Sequence, residues 1–144
     1  MLETQQLIQF FFFMVVFLFS LSIHEAAHAW TAERFGDSTA RYLGRVTLNP
    51  IAHIDLIGTI IFPTIAFFSG ALLFGWAKPV PWNPLNVSDR RKADIWISAA
   101  GPISNLVLVG IFLLVIKLFQ SYQMVGGPIG GTILEPLYRM CVMG

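Results

Sequence analysis

The sequence predicts an α-helical multi-pass membrane protein of one domain, with about three membrane helices and a short β-strand or hairpin segment near residues 40–50. Composition is the first reason. Hydrophobic residues make up 56% of the 144 and charged ones only 12%, too few to cover a soluble domain of this size. Mean hydropathy is +0.69, and 13 residues are phenylalanine. The second reason is the length of the uncharged runs. Residues 7–23 carry no charge over roughly 17 positions, the lower limit for crossing a bilayer core as a helix. Residues 56–77 and 95–116 each run for about 22, a comfortable spanning length. Backbone polar groups in lipid must be satisfied within their own segment, so such spans are helices. The expected location is the cell membrane, with the lipid bilayer as the first partner.

A secretory signal peptide is the competing reading of the first run. It lacks a basic n-region, having only Glu3, and it continues into histidines rather than a cleavage site. A net charge of +1 argues against nucleic acid as a partner. Cys141 is the only cysteine, which excludes an intrachain disulfide and a cysteine-based zinc site. Oligomeric state is not encoded in any feature of the sequence.

After the first run, Gly36-Asp37 is the expected helix stop. "RYLGRVTL" then alternates, with Tyr42, Val46 and Leu48 on one side and Arg41, Arg45 and Thr47 on the other. That is a strand pattern, with Gly44 permitting a bend or bulge. Asn49-Pro50 ends it. The second run contains Gly58, Pro63 and Gly70, so it is expected to kink or to cross incompletely. "WAKPVPWNPLN" follows, an extended segment bracketed by Trp76 and Trp82 as at a membrane surface. Asp89 to Asp94 form a mixed charged loop before the third run, and the glycine-rich end predicts no further span. Basic residues follow both the first and the second run. If both clusters face the cytoplasm, residues 51–77 re-enter rather than cross.

Three ionisable residues interrupt the apolar pattern in "LSIHEAAHAW". On a helix, His24 and His28 share one face about one turn apart. Glu25 is rotated by one position and reaches a water between them without competing as a ligand. This is the H-E-x-x-H arrangement of zinc hydrolases, in which two neutral imidazoles bind one zinc ion and the glutamate is the general base. Zinc lowers the pKa of its water to about 7. Histidines capping the interfacial end of a helix are the bland alternative. Ionisable groups at membrane depth cost roughly 2.5–3.5 kcal/mol each on insertion scales, which favours a functional reason for keeping them. A catalytic zinc needs a third protein ligand, and His53 and Asp55 are the in-chain candidates. In "SAAGPISN", Ala99 to Gly101 let another helix approach closely, and Pro102 leaves the carbonyl of Ser98 open. Asn105, one turn beyond Gly101, is either helix-packing glue or a donor to a substrate carbonyl or developing oxyanion.

"HEAAHAW" in an apolar helix, "GDSTARYLGRVTLNPIAHIDLIGTI", "GWAKPVPWNP" and "AAGPISNL" together resemble the short bacterial members of the site-2 protease family of intramembrane zinc metalloproteases. The resemblance implies zinc ligation by His24 and His28, catalysis by Glu25, and transmembrane protein substrates cut within the membrane. It implies a strand beside the active site that pairs with unwound substrate; "RYLGRVTL" matches it, which makes Tyr42, Gly44 and Val46 the substrate-binding positions. The family's third ligand is an aspartate in a later Leu-Asp-Gly motif. No such motif occurs here, so the chain looks like a single membrane-embedded metalloprotease domain truncated before the helix carrying that ligand. A zinc transporter is the alternative, although Ala29 stands where such boxes carry another acidic residue. An inactive truncated fragment that binds membrane partners is another. A di-iron oxygenase needs many more than three histidines.

Overall fold

The computed structural model describes residues 3–124; the glycine-rich end and Cys141 lie outside the described residues. The chain divides into two compact units, Met1–Leu106 and Val107–Gly144. The architecture is helical. Helix α1 covers Thr4–Arg34, α2 Thr39–Tyr42, α3 Phe62–Ser69 and α4 Arg90–Met124, with a 3₁₀ turn at Pro50–Ala52 and a π-helical turn at Leu56–Ile61. Residues 107–124 of the second unit continue α4.

Two helices, Thr4–Arg34 and Arg90–Tyr122, are long and apolar enough to cross a membrane, with mean hydropathies of 2.2 and 2.3. At 1.5 Å per residue the first is about 46 Å long, more than the roughly 30 Å of a hydrocarbon core. Their apolar side chains face outward: Phe11 is 65% exposed and Leu106 71%.

The second uncharged run does not make a third long helix. Asp55 caps its start, Oδ1 accepting from the N–H groups of Ile57 at 3.1 Å and Gly58 at 2.7 Å. Pro63 has no N–H to give the carbonyl of Thr59, and the helix is widened over the turn leading into it. Gly70, with φ 68°, then ends α3 in the left-handed region. Leu56–Ser69 is thus a short apolar helix, and residues 71–83 have no regular secondary structure. Phe67 packs on Phe10 and Phe13 of α1, with ring centroids 5.3 and 5.5 Å apart.

The irregular segment is tied back along the chain. Trp76 N–H donates to Gly58 O at 3.0 Å, Thr59 Oγ1 to Trp76 O at 2.8 Å, and Lys78 N–H to His53 O at 3.0 Å. A Cβ on Gly58 would overlap the Trp76 indole, so only glycine admits this seat. Arg45, 5% exposed, adds a second tie by donating to the carbonyls of Ala52, Lys78 and Pro79.

The strand expected near residues 40–50 is replaced by α2 and a turn, and no strand occurs among the described residues. Two forces decide this. The Asp37 carboxylate accepts from the Thr39 N–H at 3.1 Å and its hydroxyl at 2.5 Å, which starts a helical turn. Gly44, with φ 68°, then closes it: Gly44 N–H donates to Arg41 O at 2.9 Å and Arg45 N–H to Ala40 O at 2.8 Å. That bond pair is a Schellman motif, which ends a helix and reverses the chain. The same pair closes α1, from Gly36 to Glu33 O and from Asp37 to Ala32 O, both at 3.0 Å. Gly36-Asp37 is therefore the helix stop that the sequence predicts.

Asp37 is fully buried and also receives the Asn83 N–H at 2.6 Å and the Asn86 amide at 2.7 Å. It thereby fixes the turn that launches α4, whose Ala93 and Ile97 pack with Val87 against Ala32 of α1. Burial alone would push the Asp37 carboxyl up, but the hydrogen bonds from Thr39, Asn83 and Asn86 outweigh it and hold it below the ordinary 3.8. A carboxyl lowered on folding stabilises the fold above its unfolded value and loses that contribution as pH falls through the folded value. Asp37→Asn sets an amide against the Asn83 N–H. We expect the variant to lose about 1–3 kcal/mol at pH 7, with the difference from the parent shrinking below about pH 4, in denaturant unfolding followed from neutral to acid pH.

Candidate active site

The chemistry gathers where α1 and α4 face each other. Helical spacing puts His24 and His28 on one side of α1, ring centroids 4.7 Å apart and tilted by 75°. Donor atoms of His24, Glu25 and His28 all lie within 4.8 Å of one another, the one such histidine and carboxylate group among the described residues. They form part of the wall of a cavity of about 680 Å³, together with Ser98 and Asn105 of α4 and residues of the irregular segment from Gly75 to Trp82.

Whether these residues suit a metal is answered by Gly101. A Cβ built there would overlap the Nε2 atoms of both His24 and His28. Both nitrogens thus converge on one small space, kept open by the absence of a side chain on α4. The ring orientation agrees. His28 Nδ1 lies 2.5 Å from the carbonyl of Ile97, which only accepts, so the proton sits on Nδ1 and Nε2 keeps its lone pair. Two imidazole nitrogens with an adjacent carboxylate are a donor set that zinc accepts.

A sequence model of Peptidase family M50 matches residues 12–137. The chain belongs to this family. M50 is the site-2 protease family, so the resemblance carried by the four sequence blocks holds. This M50 chain is 43% identical over 115 residues to "Putative zinc metalloprotease YwhC" of Bacillus subtilis (strain 168), covering 78% of this chain and 48% of that protein. It is 33% identical over 96 residues to "Putative zinc metalloprotease Rip2" of Mycolicibacterium smegmatis (strain ATCC 700084 / mc(2)155), covering 67% and 36%. Against Rip2 of Mycobacterium tuberculosis (strain ATCC 25618 / H37Rv) the figures are 31% over 109 residues, covering 74% and 41%. The chain therefore spans about half or less of the length of these curated relatives. No solved structure matches it.

Other residues singled out in the M50 sequence fall elsewhere. His53 is fully buried, with Nε2 donating to Thr47 O at 2.9 Å, and Asp55 caps the π-helical turn; neither joins the His24, Glu25 and His28 group. Tyr42 is 86% exposed at the end of α2, Gly44 is the chain reversal and Val46 is half-buried in a bend. None of the three lines the cavity beside His24 and His28, whose extended wall is instead the Gly75 to Trp82 segment. Asn105 does reach the centre: its Nδ2 lies 3.1 Å from His24 Nδ1, and Ser20 Oγ donates to its Oδ1 at 3.2 Å.

Sequence reading missed the Ile97 carbonyl and treated Gly101 only as a site of close helix approach. It also missed Gly75, where a Cβ would meet Gly58 O at 2.6 Å, and Arg45 as a buried tie. Gly75 beside Trp76, with Gly58 upstream in the same apolar run, was the available signal for the seat of Trp76.

Proposed function

We propose that this chain carries the catalytic core of a zinc-dependent intramembrane endopeptidase, a single membrane-embedded domain that hydrolyses peptide bonds in transmembrane segments of substrate proteins. On this reading it is a multi-pass protein of the cell membrane. The observation that carries the proposal is the convergence of His24 Nε2 and His28 Nε2 on the space above Gly101, beside Glu25, inside a helix long and apolar enough to cross a bilayer.

His24 and His28 would hold one zinc ion, which supplies Lewis-acid activation of water and of the scissile carbonyl. Glu25 accepts the proton of the attacking water and returns it to the leaving amine. Substrate must present an extended peptide, because a helical carbonyl is already hydrogen-bonded. The Gly75 to Trp82 segment suits such a partner. Trp76 and Lys78 turn their N–H groups toward Gly58 and His53, so in an extended chain the peptide groups of Ala77 turn the other way. Ala77 lines the cavity, and a substrate strand laid there would pair with it by β-augmentation. The Ser98 carbonyl, freed by Pro102, is a further acceptor at the same wall.

The test is cleavage of a labelled transmembrane peptide by the purified chain in detergent. We expect cuts within the apolar segment that stop with a chelator and return with zinc. Zinc flux across vesicles without cleavage would overturn the protease reading in favour of transport.

A further inference from the structure

We infer that Asn105 is a positioning residue: its side-chain amide, anchored by Ser20, sets the His24 tautomer, and with its oxygen turned toward His24 it leaves Nε2 free to bind metal. The inference rests on the zinc site proposed above.

The two histidines are not held alike. His28 faces a backbone carbonyl, which accepts in every state, so its tautomer is fixed. His24 faces a side-chain amide, which donates from one end and accepts from the other. With the Asn105 nitrogen toward His24, the orientation the structure has, Nδ1 must be bare, and the proton moves to Nε2, where it blocks ligation. Turning the amide by half a rotation places Oδ1 against His24, which then donates from Nδ1 and keeps a lone pair on Nε2. Ser20 tolerates both orientations, because its hydroxyl donates to the amide oxygen in one and accepts from the amide nitrogen in the other. The amide is thus a two-position selector for one ligand, while the other ligand is permanently set. Its contacts are to Ser20 and His24, one turn apart on α1, so the selector also fixes the height of Asn105 along the helix.

The experiment measures the full chain in detergent twice: zinc affinity by chelator competition, and histidine tautomers by nitrogen NMR on metal-free protein labelled at histidine. Asn105→Ala should weaken zinc binding by about 10–100-fold. It should also shift His24 away from the Nδ1–H tautomer while His28 is unchanged. Asn105→Asp, which only accepts toward His24, should stay within a few-fold of the parent affinity and hold the Nδ1–H tautomer. Equal zinc affinity and tautomer in the parent and in Asn105→Ala would overturn the inference, as would an aspartate variant as weak as the alanine one. If Asn105→Ala does not fold, Ser20→Ala provides the same reading: a smaller loss of affinity with a mixed His24 tautomer supports the selector, and no change refutes it. A parent chain that binds no zinc would sink the metal reading, whereas the metal-free tautomers still decide the role of Asn105.

Discussion

Glu25→Gln should leave zinc bound and remove cleavage. The substitution keeps shape and hydrogen-bonding reach but takes away the group that accepts a proton from water. Glu25 neighbours both imidazoles without being needed to hold the metal, since the Nε2 atoms of His24 and His28 converge independently of it. General acid and base assistance contributes about 10²–10⁴-fold, so the rate on a transmembrane peptide should fall by at least about 100-fold. Zinc content measured on the same preparation should match the parent. A variant that loses metal as well would recast Glu25 as a ligand, and one that still cleaves at the parent rate would remove it from the mechanism.

Gly101→Ala is expected to be as damaging through sterics alone. Alanine is the better helix former by about 1 kcal/mol, so α4 itself gains. The new methyl, however, takes the space where both ring nitrogens meet. Imidazoles swing more easily than two helices separate, so the rings should rotate away while the fold survives. Displacements near 1 Å at a reacting centre cost about 100-fold in rate, and here both ligands are displaced. We expect a folded variant with strongly reduced zinc affinity and cleavage down by at least about 100-fold. Unfolding curves should show no matching loss of stability in the metal-free state. Normal zinc uptake by Gly101→Ala would mean that the metal lies elsewhere.

The His24, Glu25 and His28 half of the candidate site was legible because it is local. His24, Glu25 and His28 sit within one turn and a half of one helix, and helical spacing alone assembles them. Their supports are not local: the carbonyl of Ile97 lies 69 residues from His28, and Asn105 lies 81 from His24. No periodicity reports such a meeting. The strand failed for a different reason. Alternation from Tyr42 to Leu48 describes side chains, whereas Asp37 upstream and Gly44 within the stretch decide the backbone. Gly44 was visible but was read as a bulge, although "LGR" repeats the helix-ending role of "FGD" eight residues earlier: glycine in the left-handed region, then a buried charged residue. The second apolar run is long enough to count as a span, yet Gly58, Pro63 and Gly70 already pointed to a kink or an incomplete crossing. Hydropathy counts residues, but Gly70 ends the helix and the seat of Trp76 on Gly58 folds the remainder back.

The stretch between Lys78 and Asn86 is moored at each end by a buried charge of opposite sign, and the two moorings differ in what can undo them. Arg45 grips peptide carbonyls at Lys78 and Pro79, and neither partner titrates in acid. Asp37 grips Asn83 and Asn86 through a carboxylate that protonates. Acid should therefore release this stretch from one end only, the α4 end, and amide exchange at Asn83 and Asn86 should quicken before exchange at Lys78 does. Because that end carries the launch of α4, the helix bearing Ile97, Gly101 and Asn105 is the partner that drifts, and α1 with its histidines is the one that stays.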